Sequence, residues 1–242
     1  MMRQNWLGSP KVLWPLGVVL IVLVGLLARS FMHIPRNPFP GHPATASSTP
    51  AQRGPPWIYG KADARFTLVE YADLECPYCQ AYFPNLRQWI DAHPEVSWQW
   101  HHLPLSVHEP ATTIEARLAE CAGETNGNAA FWEAVAWIYQ HTRSDGQGIP
   151  ADTQYPHPSP ALQTCLGSTH PDAVIHAQAE EAAHDDIAAT PTLRLLDHQT
   201  GKTLVMHGPV EDDALLSAID LLAAPAGDTE VTEPRTRSEA PH

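Results

Sequence analysis

Cys76 and Cys79 enclose Pro77 and Tyr78 in the run Cys76-Pro77-Tyr78-Cys79, directly after the strand-like stretch Phe66 to Ala72. Two thiols at that spacing, delivered by a strand to the start of a helix, form the pattern of thiol–disulfide exchange. The thiolate is the nucleophile in that reaction. A helix N-terminus gathers partial positive charge and favours thiolate over thiol. Cys76 is therefore the expected attacking sulfur. Cys79, one helical turn on, is the expected resolving sulfur, more buried and less acidic. An unperturbed thiol titrates at about 8.5, and lowering it to about 7 makes roughly half of it reactive at neutral pH. The same shift stabilises the reduced pair and makes its disulfide a better oxidant. The competing chemistry is half of a structural zinc site, but no second C-x-x-C and no close Cys/His pair completes four ligands.

Three neighbours bear on those sulfurs. Pro77 suits the first helical turn, where an N–H has no partner to lose. Tyr78 either tunes the pair or simply packs at the surface. Glu70 shares a strand face with Phe66 and Leu68, so its carboxyl should be harder to ionise and able to pass a proton to or from Cys79. An exposed strand-end glutamate is the other reading of Glu70. Asp73 and Glu75 lie closer still to the cysteines; they are expected to be solvated, and their charge would oppose thiolate formation.

The elements that must position these groups follow from periodicity. Phe66, Leu68, Glu70 and Ala72 alternate with Thr67, Val69, Tyr71 and Asp73, and apolar residues on both faces predict a central strand. A helix is expected from Cys76 to about Asp91, kinked at Pro84. Val96 to Leu103 reads as a second strand. Ile114, Leu118, Cys121 and Ala122, then Phe131, Val135, Ile138 and Tyr139, repeat at helical spacing, with Asn128 as the expected N-cap of the second run. Ser159-Pro160 and Thr169-His170-Pro171 read as helix starts. Thr192 to Leu196, a turn at Gly201 and Thr203 to Met206 form a hairpin, and Val210 to Leu222 a closing amphipathic helix. The order is β-α-β, a helical block, then β-β-α.

Composition bounds the rest. With 242 residues, 43% of them hydrophobic, the chain supports one substantial domain plus accessories. A formal charge of −13 without a Lys/Arg cluster argues against a nucleic-acid partner. Val12 to Ala28 carries no charge and is at the short end of the roughly 17–25 residues a spanning helix needs. It is long for a cleaved signal and has no close A-x-A site, so an uncleaved signal anchor is expected. Arg3 and Lys11 before it nearly balance Arg29 and Arg36 after it, so orientation rests on chemistry: a redox C-x-x-C domain behind an export signal belongs in an oxidising compartment. The expected division is a cytoplasmic N-terminus at 1–11, a transmembrane anchor at 12–28, a Pro-rich linker at 29–56, the folded domain at 57–223 with its helical insertion at about 105–187, and a disordered tail at 224–242.

On YADLECPYC, HHLPLSVHEPAT, AECA…FWEAV and ATPTL, from about Trp57 to Leu222, the chain resembles the DsbA-like, thioredoxin-fold disulfide oxidoreductases. The resemblance implies an α/β thioredoxin-like fold with a helical insertion, here preceded by one transmembrane helix. It implies that Thr190-Pro191 carries a cis-proline facing Cys76 and Cys79, with the Thr190 backbone free to pair with an extended substrate. The alternative there is an ordinary trans proline at a strand start. Members of the family often carry a histidine where this chain has Tyr78, and they bury an acid where it has Glu70. Cys121 and Cys165 each lie on an apolar helix face; they either form a second disulfide, as in some relatives, or remain inert buried thiols, and an oxidising compartment favours the bridge. The fourteen histidines are read as surface or capping groups, not metal ligands.

These readings converge on a single-pass, monomeric protein of the inner membrane with its catalytic domain in the periplasm. No cofactor or metal is expected beyond the redox-active Cys76–Cys79 disulfide. The expected partners are exported proteins with cysteines and a membrane redox partner. That partner would be a quinone-linked oxidase for an oxidase, or an electron donor for a reductase or isomerase. A tethered, non-catalytic client-binding module and a metal-delivery protein are the competing classes.

Overall fold

The computed structural model describes residues 54–225. The expected N-terminus, anchor, most of the linker and nearly all of the tail lie outside them. Among the described residues no helix is long and apolar enough to cross a membrane.

The elements run β1 (Trp57–Tyr59), β2 (Phe66–Ala72), α1 (Pro77–Ala92), β3 (Val96–His102), a 3-10 turn at Ser106–His108, α2 (Ala111–Asn126), α3 (Asn128–His141), α4 (Pro160–Leu166), α5 (His170–His184), β4 (Thr192–Asp197), β5 (Thr203–His207) and α6 (Asp212–Ala223). The five strands lie in the order β1-β3-β2-β4-β5. Strands β2 and β3 are parallel; the β1–β3, β2–β4 and β4–β5 pairs are antiparallel. β2 is thus central, as its two apolar faces predict. The order β-α-β, helices, β-β-α is also as expected, apart from β1. That strand is only three residues long, too short for a periodic signal. It is held by register with β3 (Trp57 opposite Trp100) and by the buried indole N–H of Trp57, which donates to Glu120 at 2.9 Å.

The two faces of β2 feed different clusters. Phe66, Leu68 and Ala72 join the main core with Phe83, Leu86, Ile90, Trp98, Trp100, Phe131 and Trp132. Tyr71 joins a smaller cluster with Leu103, Ala182 and Ile187. Large rings make the main core dense: a Cβ at Gly123 would stand 2.7 Å from the Trp57 ring, so only glycine fits there.

One local reading changes. Asn128 is not the cap of α3; Gly127, at φ 90°, takes that place, and the Asn128 side chain instead pairs with the backbone N–H and C=O of Ile58 at 2.9 and 2.7 Å. An amide side chain satisfies an edge strand better than it satisfies its own helix when that strand lies alongside. Pro84 sits inside a helix that runs unbroken from Pro77 to Ala92. Ser159 does cap α4, accepting from Leu162 N–H at 3.1 Å.

Candidate active site

β2 ends at Ala72, three residues turn, and Cys76 becomes the N-cap of α1. Its backbone is extended (φ −78°, ψ 120°) and no side chain caps the helix. The sulfur therefore stands where the first unpaired N–H groups point. Pro77 follows at the first helical position. Cys79 lies one turn further in, completely buried.

These positions drive the two thiols apart. The Cys76 thiol is lowered to about 6, chiefly by the hydrogen bond from the Cys79 side chain. Burial opposes that shift, and the Thr190 hydroxyl and the backbone N–H groups of Cys79 and Tyr78 add to it. Cys79 is pushed well above the usual thiol range, first by burial, then by its bond to Cys76 and by the nearby Glu70 carboxyl. A sulfur charged at neutral pH thus sits beside one that keeps its proton.

Across from them the Thr190–Pro191 peptide is cis, and the Cys76 sulfur lies 3.5 Å from the Thr190 carbonyl oxygen. The Pro191 carbonyl accepts from Gly208 N–H at 2.8 Å, which ties this corner to the loop before α6. Glu70 is 1% exposed, and burial raises its carboxyl to about 8. The Trp98 N–H partly offsets that rise and Cys76 adds to it. Tyr78 is 66% exposed, at the head of a groove of about 750 Å³ that runs along α1 past Tyr82 and Trp89 and faces Val210. The largest causes of the Cys76 shift are hydrogen bonds and burial, not a cationic side chain.

Cys121 and Cys165 are joined as a disulfide between α2 and α4. They pack with Leu118, Leu162 and Leu166, in a cluster separate from the one that holds Cys76 and Cys79.

Two expectations are overturned. Asp73 and Glu75 are not solvated; they are 1% and 0% exposed. Asp73 accepts from Glu75 N–H, Thr112 Oγ–H, Leu105 N–H and the His108 ring at 2.7–2.8 Å. Glu75 accepts from the Thr142 hydroxyl and from Gly148 N–H. Residues flanking an active-site loop look polar in sequence, but an insertion folded over that loop buries them and supplies their donors. The histidines are also not all at the surface. His101, His102 and His108 are buried. The His102 ring takes the Trp100 N–H at 3.1 Å and faces Glu120 at 3.2 Å, while His108 pairs with Asp73. Among the described residues no three His, Cys, Asp or Glu side chains are grouped to hold a metal ion.

Residues 52–220 match the family profile described as Thioredoxin. DsbA2 of Pseudomonas aeruginosa is 40% identical, with a TM-score of 0.67, over 74% of this chain and 97% of that one. BdbD of Bacillus subtilis, in its oxidised form, shares 19% identity at a TM-score of 0.55, over 71% and 97% of the two chains. A thiol-disulfide exchange protein of Wolbachia pipientis, alpha-DsbA2, shares 14% at 0.56, over 69% and 86%. At those identities the last two speak for the fold alone. Among curated proteins, the Na(+)/H(+) antiporter NhaA 1 of Salinispora arenicola is 36% identical over 39% of this chain, and that of Mycolicibacterium gilvum 28% identical over 67%. The chain spans only 14% and 26% of the length of those two relatives.

Proposed function

This chain belongs to the DsbA-like, thioredoxin-fold family of thiol:disulfide oxidoreductases, and from that premise we propose that Cys76 and Cys79 exchange disulfides with cysteines of exported proteins. The observation that carries the reading is the split between the two sulfurs, one acidic at a helix N-terminus and one buried and protonated, opposite Thr190 and Pro191.

In the oxidising direction a client thiolate attacks the Cys76 sulfur of the Cys76–Cys79 disulfide. A client–Cys76 disulfide forms and the Cys79 sulfur leaves with the electron pair. Glu70, neutral at pH 7 because its carboxyl stands at about 8, passes its proton to that sulfur. A second client thiolate then attacks the client sulfur of the mixed disulfide, and Cys76 departs as a thiolate. A thiol lowered to about 6 is a good leaving group and favours this direction. Each step reverses in the reducing direction. The exposed Tyr78, where a histidine would bring a cation to Cys76, supports a second reading as a reductase or isomerase of lower potential.

The oxidase reading needs a membrane partner that removes two electrons, and the reductase reading one that supplies them. The apolar run Val12 to Ala28 supports a single-pass anchor with this domain outside the cytoplasm. The Thr190 backbone would align an extended client segment, with Tyr78 and the groove along α1 beside it. A Cys79→Ala variant should accumulate client–Cys76 mixed disulfides, visible on non-reducing gels, and Cys76→Ser should accumulate none. Exchange with a model dithiol that survives Cys76→Ser would end this reading.

A further inference from the structure

The loop that presents Cys76 is gripped from both sides by the helical insertion. On one side, Leu105 N–H, the His108 ring and the Thr112 hydroxyl all donate to the Asp73 carboxylate, and Glu75 N–H donates to it from within the loop. On the other, the Thr142 hydroxyl and Gly148 N–H donate to the Glu75 carboxylate, and Asp145 N–H donates to the Glu75 carbonyl at 2.9 Å. The backbone of Asp73 is held as well. Its carbonyl accepts from Cys76 N–H at 3.1 Å and from the Tyr139 hydroxyl at 3.2 Å. Gln80, just past Cys79, donates to the Tyr139 carbonyl at 2.6 Å and accepts from the Ser144 hydroxyl at 2.8 Å.

Six donors converge on two buried carboxyl groups. A neutral Asn or Ser would close the same turn without burying charge. Four donors around one side chain require a group that only accepts, and a carboxylate is that group. Burying it is costly unless every lone pair is met, and at Asp73 four donors meet them. Glu75 has a second acid beside it. Glu115, 2% exposed on α2, is pushed up to about 9 by burial first and by Glu75 next.

We propose that Asp73 and Glu75 are positioning residues for the redox pair: their carboxylates latch the Cys76 loop to the helical insertion, and the latch sets the reactivity of the Cys76 sulfur by fixing its donors in place. The proposal rests on the exchange reading above and deepens it. The donors to Cys76 come from the first turn of α1, and the Thr190 carbonyl lies against the sulfur from the other side. The loop joins that turn to β2, so slack in the loop lets the sulfur drift from its donors, and the thiolate loses stabilisation. The insertion thereby acts on the chemistry without touching either sulfur with a charged group.

The test changes the donors and leaves the loop sequence intact. Thr112→Val and Thr142→Val each remove one hydroxyl at nearly constant shape; Thr112→Ser and Thr142→Ser keep it. Asp73→Asn and Glu75→Gln are the direct but more disruptive variants. The full-length protein is reduced, and the rate of Cys76 alkylation and the thiolate absorbance are followed against pH, with thermal stability alongside. A midpoint raised by about one unit means alkylation about fivefold slower at pH 6 and unchanged at pH 9. That profile is expected for the double valine variant, with the serine variants returning to wild type. Valine variants that melt earlier but keep the wild-type pH profile would overturn the latch, while wild-type exchange still stood. A wild-type Cys76 that itself titrates near 9 would sink the exchange reading and the latch with it.

Discussion

The molecule holds two pairs of cysteines on helices, and burial does not distinguish them. Cys76 and Cys79 are 3% and 0% exposed; Cys121 and Cys165 are 0% and 8% exposed. What separates them is the polar company they keep. Cys76 caps a helix, faces N–H donors and stands against the Thr190 carbonyl. Cys121 and Cys165 lie within helices among leucines. The first pair is three residues apart on one helix; the second joins two helices across 44 residues. A thiol's reactivity follows from what stabilises its anion, and a bridge's contribution to stability follows from how much chain it closes.

Removing the bridge is the largest test of that contrast. Closing a separation of 44 residues is worth about 4 kcal/mol by loop entropy. A Cys121→Ser/Cys165→Ser variant should lose that much in denaturant unfolding while its exchange rate with a dithiol stays within about twofold. A large loss of exchange rate, measured below the shifted unfolding midpoint, would show that the two pairs are coupled.

Glu70→Gln sharpens the other side. The folded-state pKa of Glu70, about 8, lies above its unfolded value, so the wild type loses stability as pH rises from about 4.5 to 8. Glutamine does not titrate. The variant should therefore match the wild type at low pH and gain on it by a few kcal/mol at pH 8, read from denaturant midpoints across that range. It should also slow the departure of Cys79 as a client thiolate opens the Cys76–Cys79 disulfide. A wild type and variant with parallel pH profiles would place Glu70 in water.

The smallest effect lies in the reduction potential. Below the Cys76 pKa two protons accompany two electrons, and above it one does. The potential of the Cys76–Cys79 couple should therefore fall by about 60 mV per pH unit below pH 6 and by about 30 mV per unit above it. A break near pH 9 instead would mean that Cys76 behaves as an ordinary thiol, and the contrast with the second pair would collapse.

Much of the site was legible because its signals are local. Cys76 and Cys79 announce themselves by spacing, Glu70 by its place on an apolar strand face, and the central position of β2 by its two apolar faces. Thr190-Pro191 could be read only through family resemblance, since nothing in a dipeptide states its peptide geometry. The misreadings share one cause. Asp73 and Glu75 look like solvated charges next to a turn, and Asn128 looks like a cap, until partners 32 to 73 residues away arrive.

Sequence alone determined which atoms are the candidates to react: two sulfurs one helical turn apart behind a strand, with a carboxyl six residues upstream. Only the tertiary structure decided how they react. Burial of Cys79, the Thr190 carbonyl beside Cys76 and the ring of donors around Asp73 and Glu75 are set by segments far apart in the chain. Spacing is a property of neighbours in the chain, whereas acidity depends on the field and solvent that the folded protein brings to a group, and these come from everywhere else in the molecule.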